Sequence, residues 1–161
     1  MSSKDSEKKI GAALGRIPSG LFILTARRGN AETGMLASWV QQCSFDPPHI
    51  TLAIRRDREI AAWLTDRSAF TLNILDDSQT DMIVHFGRGF RLDEPAFASL
   101  EVDRPRGGAP VLREALAYLE CQVAGRYNAG DHDLLLGQVV GGAVLNDGHP
   151  MIHVRKSGFH Y

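Results

Sequence analysis

At 161 residues the chain is long enough for one domain with a sizeable core. Its 23% charged residues sum to a net charge of -1, which leaves neither the basic excess of a nucleic-acid binder nor an acidic solvating tail. No apolar run approaches the roughly 20 residues of a membrane helix, so no membrane span is expected. The opening MSSKDSEKK is polar where a signal peptide would be apolar.

Cys43 and Cys121 are far apart and show no CxxC or zinc-like spacing, so they read as reduced thiols of a cytoplasmic protein. Residues 1–9 are expected to form a disordered N-terminal tail and residues 10–161 a single domain. The segment 10–17 is a short helix candidate stopped by Pro18. LFILTA (21–26) is β-rich and apolar at successive positions, which predicts a strand buried on both faces. RRGNAETG supplies turn residues, and GMLASWVQQCS (34–44) is extended, so the two segments pair as a hairpin. FDPPH must turn, because each proline holds its predecessor in extended geometry. HITLAIR (49–55) alternates, with Ile50, Leu52 and Ile54 on one face. Asp57 is placed to cap a helix over 58–66 whose apolar side carries Ile60, Trp63 and Leu64.

AFTLNIL (69–75) returns to strand spacing, with Phe70, Leu72 and Ile74 on one face and Thr71 and Asn73 on the other. Ser78 and Asp81 resemble a capping box ahead of a helix with a stripe of Met82, Phe86 and Phe90. Residues 91–110, rich in Pro, Gly and charge, predict an irregular surface loop with a short turn at 96–100. In ALAYLECQVAGRYN (115–128) Ala117, Leu119, Cys121 and Val123 alternate with Tyr118, Glu120 and Gln122. DLLLGQVVGGAVL (133–145) is a second long strand, in which Gly141 and Gly142 mark a bulge or bend. MIHVRKSGFHY adds a short strand and a tail. The hairpins argue against a doubly wound parallel sheet. The fold class expected is mainly β, an antiparallel barrel with a few peripheral helices.

GDHD (130–133) sits between the two long strands. Gly130 and Asp131 are ordinary hairpin residues, and Asp131 can bond nearby backbone N–H groups, so the segment reads as a plain turn. It also reads as a turn that delivers His132 to a ligand, since an imidazole can donate toward an anion or a ring. Six histidines raise the question of a metal, but His149 and His153 lack a third ligand at fitting spacing, so none is expected. There is no G-x-S-x-G elbow, no Walker A loop and no G-x-G-x-x-G between strand and helix. A flavin or dinucleotide would therefore not sit in a Rossmann crevice. In GMLASW (34–39) the small Ala37 and Ser38 would let a flat ligand approach the backbone, although tight strand packing uses the same residues. Arg88, between glycines in HFGRGF, can meet a phosphate or complement a helix C-terminus.

Together PSGLFILTA, GMLASWVQQCSFDPP, FTLNIL, HFGRGF and AGDH with LGQVV resemble the flavin reductase-like family, the FMN-binding split barrels, from about residue 14 to 161. ALGRIPSG, ALAYLECQV and RKSGFHY are similar to the flavin-reductase module at the C-terminus of cyanobacterial-type flavodiiron proteins. No metallo-β-lactamase-like or flavodoxin-like region stands ahead of it here, so the resemblance fits a stand-alone relative or an excised domain. It implies an antiparallel split β-barrel with Greek-key connections and a homodimer with FMN (FAD as the alternative) at its interface. NADH or NADPH is implied as donor. By resemblance, Met35, Leu36, Ala37, Ser38 and Trp39 lie along the flavin. Ser44 and Phe45 continue that stretch, Asn73 is a polar flavin contact, and Arg88 meets the phosphate. Gly130, Asp131 and His132 form the motif at the nicotinamide side.

Hydride transfer to a flavin is the cofactor's own chemistry, so the lack of a protein nucleophile or triad agrees with such a role. The function expected is NAD(P)H:flavin oxidoreduction, with electrons passed to a redox partner, free flavin or oxygen. One rival is an FMN-binding electron-transfer protein without nicotinamide activity. The other is a non-catalytic barrel that binds a flat ligand.

Overall fold

The computed structural model describes residues 3–161. The chain opens with helix α1 (Ser3–Leu14), then β1 (Ser19–Gly20), β2 (Phe22–Arg28), β3 (Ala31–Ala37), β4 (Val40–Phe45) and β5 (Pro48–Arg55). A 3-10 turn (Glu59–Ala62), β6 (Ala69–Ile74) and helix α2 (Thr80–Gly87) follow. After them come β7 (Val102–Asp103), β8 (Val111–Leu112), β9 (Ala117–Ala129), β10 (His132–Val144) and β11 (Ile152–His153).

Among the described residues, β3, β2, β6, β9, β10, β5 and β4 lie side by side in that order as one antiparallel sheet. Its two edge strands, β3 and β4, are consecutive in the chain and joined only by Ser38 and Trp39. A flat sheet of seven strands would hold its edges about 29 Å apart at roughly 4.8 Å per strand, whereas two linking residues reach about 10 Å. The sheet must therefore curl into a barrel, split where β3 and β4 part. The Ala53 N–H donates to the Trp39 carbonyl at 3.0 Å and ties this corner to β5.

Two cores explain the sequence pattern. Inside the barrel, Leu24, Leu52, Ile54, Phe70, Leu72, Cys121, Val123 and Leu135 are buried together. Outside it, Ile23, Leu75, Met82, Phe86, Phe97, Leu112 and Met151 pack between the sheet, α2 and the loop before β9. β2 therefore buries Ile23 on one side and Leu24 on the other, as its unbroken apolar run predicts. α2 can approach β3 closely because Gly34 has no side chain. A Cβ there would lie 2.9 Å from the Phe86 ring and 3.1 Å from the Phe97 ring. Cys121 sits in the inner core, where burial pushes its thiol up to about 12, and neither cysteine is in a disulfide.

The structure departs from several expectations. α1 begins at Ser3, so residues 3–9, expected in a disordered tail, are its first turns; residues 1 and 2 lie outside the described ones. The helix expected over 58–66 shrinks to the 3-10 turn: the Thr65 N–H, which would close an α-turn on Ala61, donates to the Ser68 hydroxyl at 3.1 Å, and Arg126 takes the carbonyls of Ala61 (2.9 Å) and Leu64 (3.4 Å). Asp57 caps nothing and pairs with Arg55 at 2.8 Å. Ser78 turns back to the Asp76 carboxylate instead of forming a capping box with Asp81. The long second strand does bulge before Gly141, where its register with β9 shifts.

Candidate active site

The corner between the edge strands opens a cavity of about 300 Å³, at the lower end of the size range of ligand sites. Met35, Leu36, Ala37, Ser38 and Trp39 all line it. Ala53 and Arg55 join them from β5, Arg58 from the following loop, Ile83 and Gly87 from α2, and His153 and Tyr161 from the end of the chain. Apolar and small side chains dominate the lining. Among the described residues two arginines and no acidic side chain line it. A flat apolar ring carrying an anionic group fits that description, as a flavin with its phosphate would.

A second cavity of about 290 Å³ adjoins the first through Trp39, Arg55 and Tyr161 and is completed by Asp131, His132 and Arg155. The β9–β10 hairpin delivers His132 to it. Gly130 has φ of +83° at the first of two loop positions, the type II′ geometry that lets two long twisted strands close in two residues. The Asn128 side chain accepts the Gly130 N–H at 3.1 Å, so Asn128 fixes the turn and Asp131 is left for another partner. The hairpin end is clamped at Asp133, whose carboxylate accepts from Arg56 (2.9 Å) and Arg126 (2.8 Å). Those two guanidinium hydrogen bonds hold the Asp133 carboxyl below its ordinary range.

His132 is only 7% exposed. Its Nδ1 lies 2.8 Å from the Asp131 carboxylate and its Nε2 lies 2.5 Å from the Tyr161 hydroxyl. The hydrogen bond to His132 holds the Asp131 carboxyl below its ordinary value. Burial raises the Tyr161 phenol above its own, against the pull of Arg58 and Arg55. The Trp39 ring packs beside both partners, 4.8 Å from His132 and 5.6 Å from Tyr161 between centroids, and Arg155 covers it at 4.9 Å.

The other residues expected in the site go elsewhere. Asn73 is fully buried between the barrel and the loop before β9. Its amide donates to Ile23 O at 3.1 Å, and its carbonyl accepts the Leu112 N–H at 2.8 Å. It lines neither cavity, and its bonds satisfy backbone groups that the strands leave open. Ser44 and Phe45 end β4 away from both cavities, with Phe45 92% exposed. Arg88 lines a neighbouring cavity, where it pairs with Glu94 at 3.4 Å and lies over Phe90 at 4.6 Å. Arg58 reaches both that cavity and the first one and donates to the Arg88 carbonyl at 3.1 Å. Sequence reasoning missed Arg55, Arg58, Arg155 and Tyr161, because isolated arginines and a tail aromatic carry no periodic signal.

A curled antiparallel sheet with a cavity at its split defines a split-barrel protein. Residues 14–160 match the flavin reductase like domain, and the chain belongs to that family. Diflavin flavoprotein A 1 of Synechocystis sp. is 39% identical over 160 residues, covering 98% of this chain and 28% of that protein. The chain spans about a quarter of the length of the curated relatives it matches. In three dimensions it resembles the NADH:FAD oxidoreductase SgcE6 of Streptomyces globisporus C-1027, at TM-score 0.81 and 25% identity, covering 89% of this chain and 85% of that one. The same enzyme in complex with NAD and FAD fragments superposes at TM-score 0.79 and 25% identity, with the same coverage. No helix among the described residues is long and apolar enough to cross a membrane.

Proposed function

We propose that the chain transfers a hydride from NADH or NADPH to a flavin, FMN in the first place, and hands the electrons to free flavin, oxygen or a redox partner protein. The observation that carries this reading is the junction of two cavities at Trp39. One is apolar with a cationic rim, and the other ends in the Asp131–His132–Tyr161 chain. The first suits a flavin and the second a nicotinamide stacked against it. That SgcE6 shares the fold and is named an NADH:FAD oxidoreductase supports the pairing.

A bound flavin supplies the hydride-accepting ring, so the chain need only bind, orient and exclude water. Residues 35–39 give the ring a flat wall, with Ala37 and Ser38 small enough for close approach. Arg55 and Arg58 face the same cavity and suit the anionic part of the ligand. Asp131 and His132 hold the nicotinamide side. A second copy of the chain would complete the site. An apolar groove lined by Leu14, Ile17, Pro18, Val40, Leu134 and Ile152 runs up to Trp39, and Ile17 (62% exposed) and Ile152 (71%) face out from it. The stripe of α2 does not add to that surface: Phe86 is fully buried and Phe90 packs against the outer core.

The test mixes purified protein with FMN and NADH or NADPH and follows nicotinamide absorbance, beside the spectrum of the protein as purified. Rapid oxidation of either donor is the expected result. A yellow protein inert to both would be an electron-transfer flavoprotein and would overturn the reading. Sedimentation showing a monomer saturated with FMN would remove the dimer.

A further inference from the structure

Both nitrogens of His132 are already engaged in the protein itself, which constrains what the imidazole can offer a ligand. An ionised carboxylate only accepts hydrogen bonds, so the bond to Asp131 must be donated by Nδ1. In the neutral ring Nε2 is then an acceptor, and the bond to Tyr161 must be donated by the phenol. The phenolic oxygen keeps its remaining acceptor capacity. It is also the better placed of the two groups. Tyr161 lines both cavities and is 66% exposed, whereas His132 is buried and lines only the outer one. The cationic side chains beside it, Arg55, Arg58 and Arg155, are all donors. The Asp131 carboxylate also accepts, but it lines only the outer cavity and is bonded to His132, so the phenol is the acceptor that reaches both cavities, and an acceptor selects a ligand N–H.

We propose that Tyr161 is the residue that touches the nicotinamide of the reduced donor, its phenolic oxygen accepting a hydrogen bond from the carboxamide N–H. His132 and Asp131 are positioning residues that aim it. The assignment rests on the flavin reductase reading above and adds to it a contact and a chemical group. The carboxamide is the matching partner because it carries two N–H groups on the ring that the outer cavity is proposed to hold.

The experiment compares wild type and Tyr161→Phe with two donors, NADH and its 3-acetylpyridine analogue, which has a methyl in place of the carboxamide NH2. In wild type the analogue should show a KM higher by roughly three- to tenfold, the range of one lost hydrogen bond. Tyr161→Phe should show the same rise with NADH and no further rise with the analogue, while kcat on NADH and flavin affinity stay within about twofold of wild type. A readout without flavin or turnover accompanies it. Nitrogen-15 spectra of the imidazoles should show His132 as the Nδ1–H tautomer, with its Nε2 resonance moved by Tyr161→Phe.

A Tyr161→Phe enzyme that discriminates the two donors as wild type does would overturn the contact. An Nε2–H tautomer would overturn the direction of the chain. A loss of flavin affinity would put the phenol on the flavin instead and overturn the assignment. If wild type oxidises neither nicotinamide, the flavin reductase reading falls and the assignment with it; if wild type is active and only the donor comparison fails, the assignment falls alone.

Discussion

Asn73 and His132 are both buried polar side chains on strands, and in both every hydrogen-bonding atom has a partner. They sit in different kinds of surroundings. Asn73 bonds backbone groups that are themselves buried, those of Ile23 and Leu112, and stitches the barrel to the loop outside it. His132 bonds two side chains that reach solvent, with Asp131 84% exposed and Tyr161 66% exposed, beside a cavity. A buried polar group whose partners are buried backbone belongs to the fold. One whose partners are exposed side chains at a cavity mouth can serve binding through those partners. Burial alone would have ranked Asn73 as the better site residue, and the partners reverse that order.

The comparison implies unequal costs of truncation. Asn73→Ala should have the largest effect. It leaves the Leu112 N–H without its acceptor in a buried place and opens a void, together roughly 2–4 kcal/mol. Urea unfolding measures it, and a loss below about 1 kcal/mol would mean that water or a shifted loop replaces the amide. Next is Arg58→Ala, which should weaken FMN by about 1.5–3 kcal/mol and riboflavin much less, because a charge-assisted bond to phosphate is absent from riboflavin. Arg88→Ala, with Glu94 and Phe90 as its contacts, should affect both flavins alike. Flavin titrations that rank the two arginines the other way would restore the phosphate role to Arg88.

The strands were legible because their cause is local. Alternation in β5, β9 and β10 marks the inner core, and the doubly apolar run of β2 reflects its place between two cores. The pattern of residues 35–39 predicts a strand, which the structure breaks only at Ser38 and Trp39 to turn the corner. What failed depended on distant partners. Arg126, far along the chain, bonds the Ala61 carbonyl that a helix over 58–66 would use, and nothing near residue 61 announces it. Asn73 was correctly set on the face opposite Phe70 and Leu72, yet that face is covered by residues 110–112, whose return to the sheet has no local signature. Tyr161 lies 29 residues from His132, and no spacing rule pairs them.

His132→Ala sharpens the contrast from the other side. Its partners rehydrate when the imidazole is removed, so unfolding free energy and FMN affinity should stay close to wild type. The KM for the reduced nicotinamide should rise by up to about tenfold, the scale of one hydrogen bond of roughly 0.5–1.5 kcal/mol. A variant that unfolds or loses FMN would make His132 a second Asn73. Wild-type rates of flavin reduction would leave GDHD a turn and nothing more.

The smallest effect should appear only in acid, and it separates the two regions by charge. The Asn73 bonds are neutral and do not titrate. The hairpin end is held by the Asp133 carboxylate between Arg56 and Arg126, and by Asp131 against His132, and both carboxyls are depressed below their ordinary value. A depressed acid stabilises the fold at any pH above its unfolded value of about 3.9 and loses that contribution as the pH falls through the folded value. Between pH 5 and pH 2, the protection of amides at the tip of β9 and β10, taken relative to their intrinsic exchange rate at each pH, should therefore fall while the amides around Leu112 keep theirs. Asp133→Asn cannot be protonated in the same way, so it should start from a looser hairpin and lose less of its remaining protection over the same range. Equal acid sensitivity in wild type and Asp133→Asn would show that the two arginines hold the hairpin no more tightly than water does.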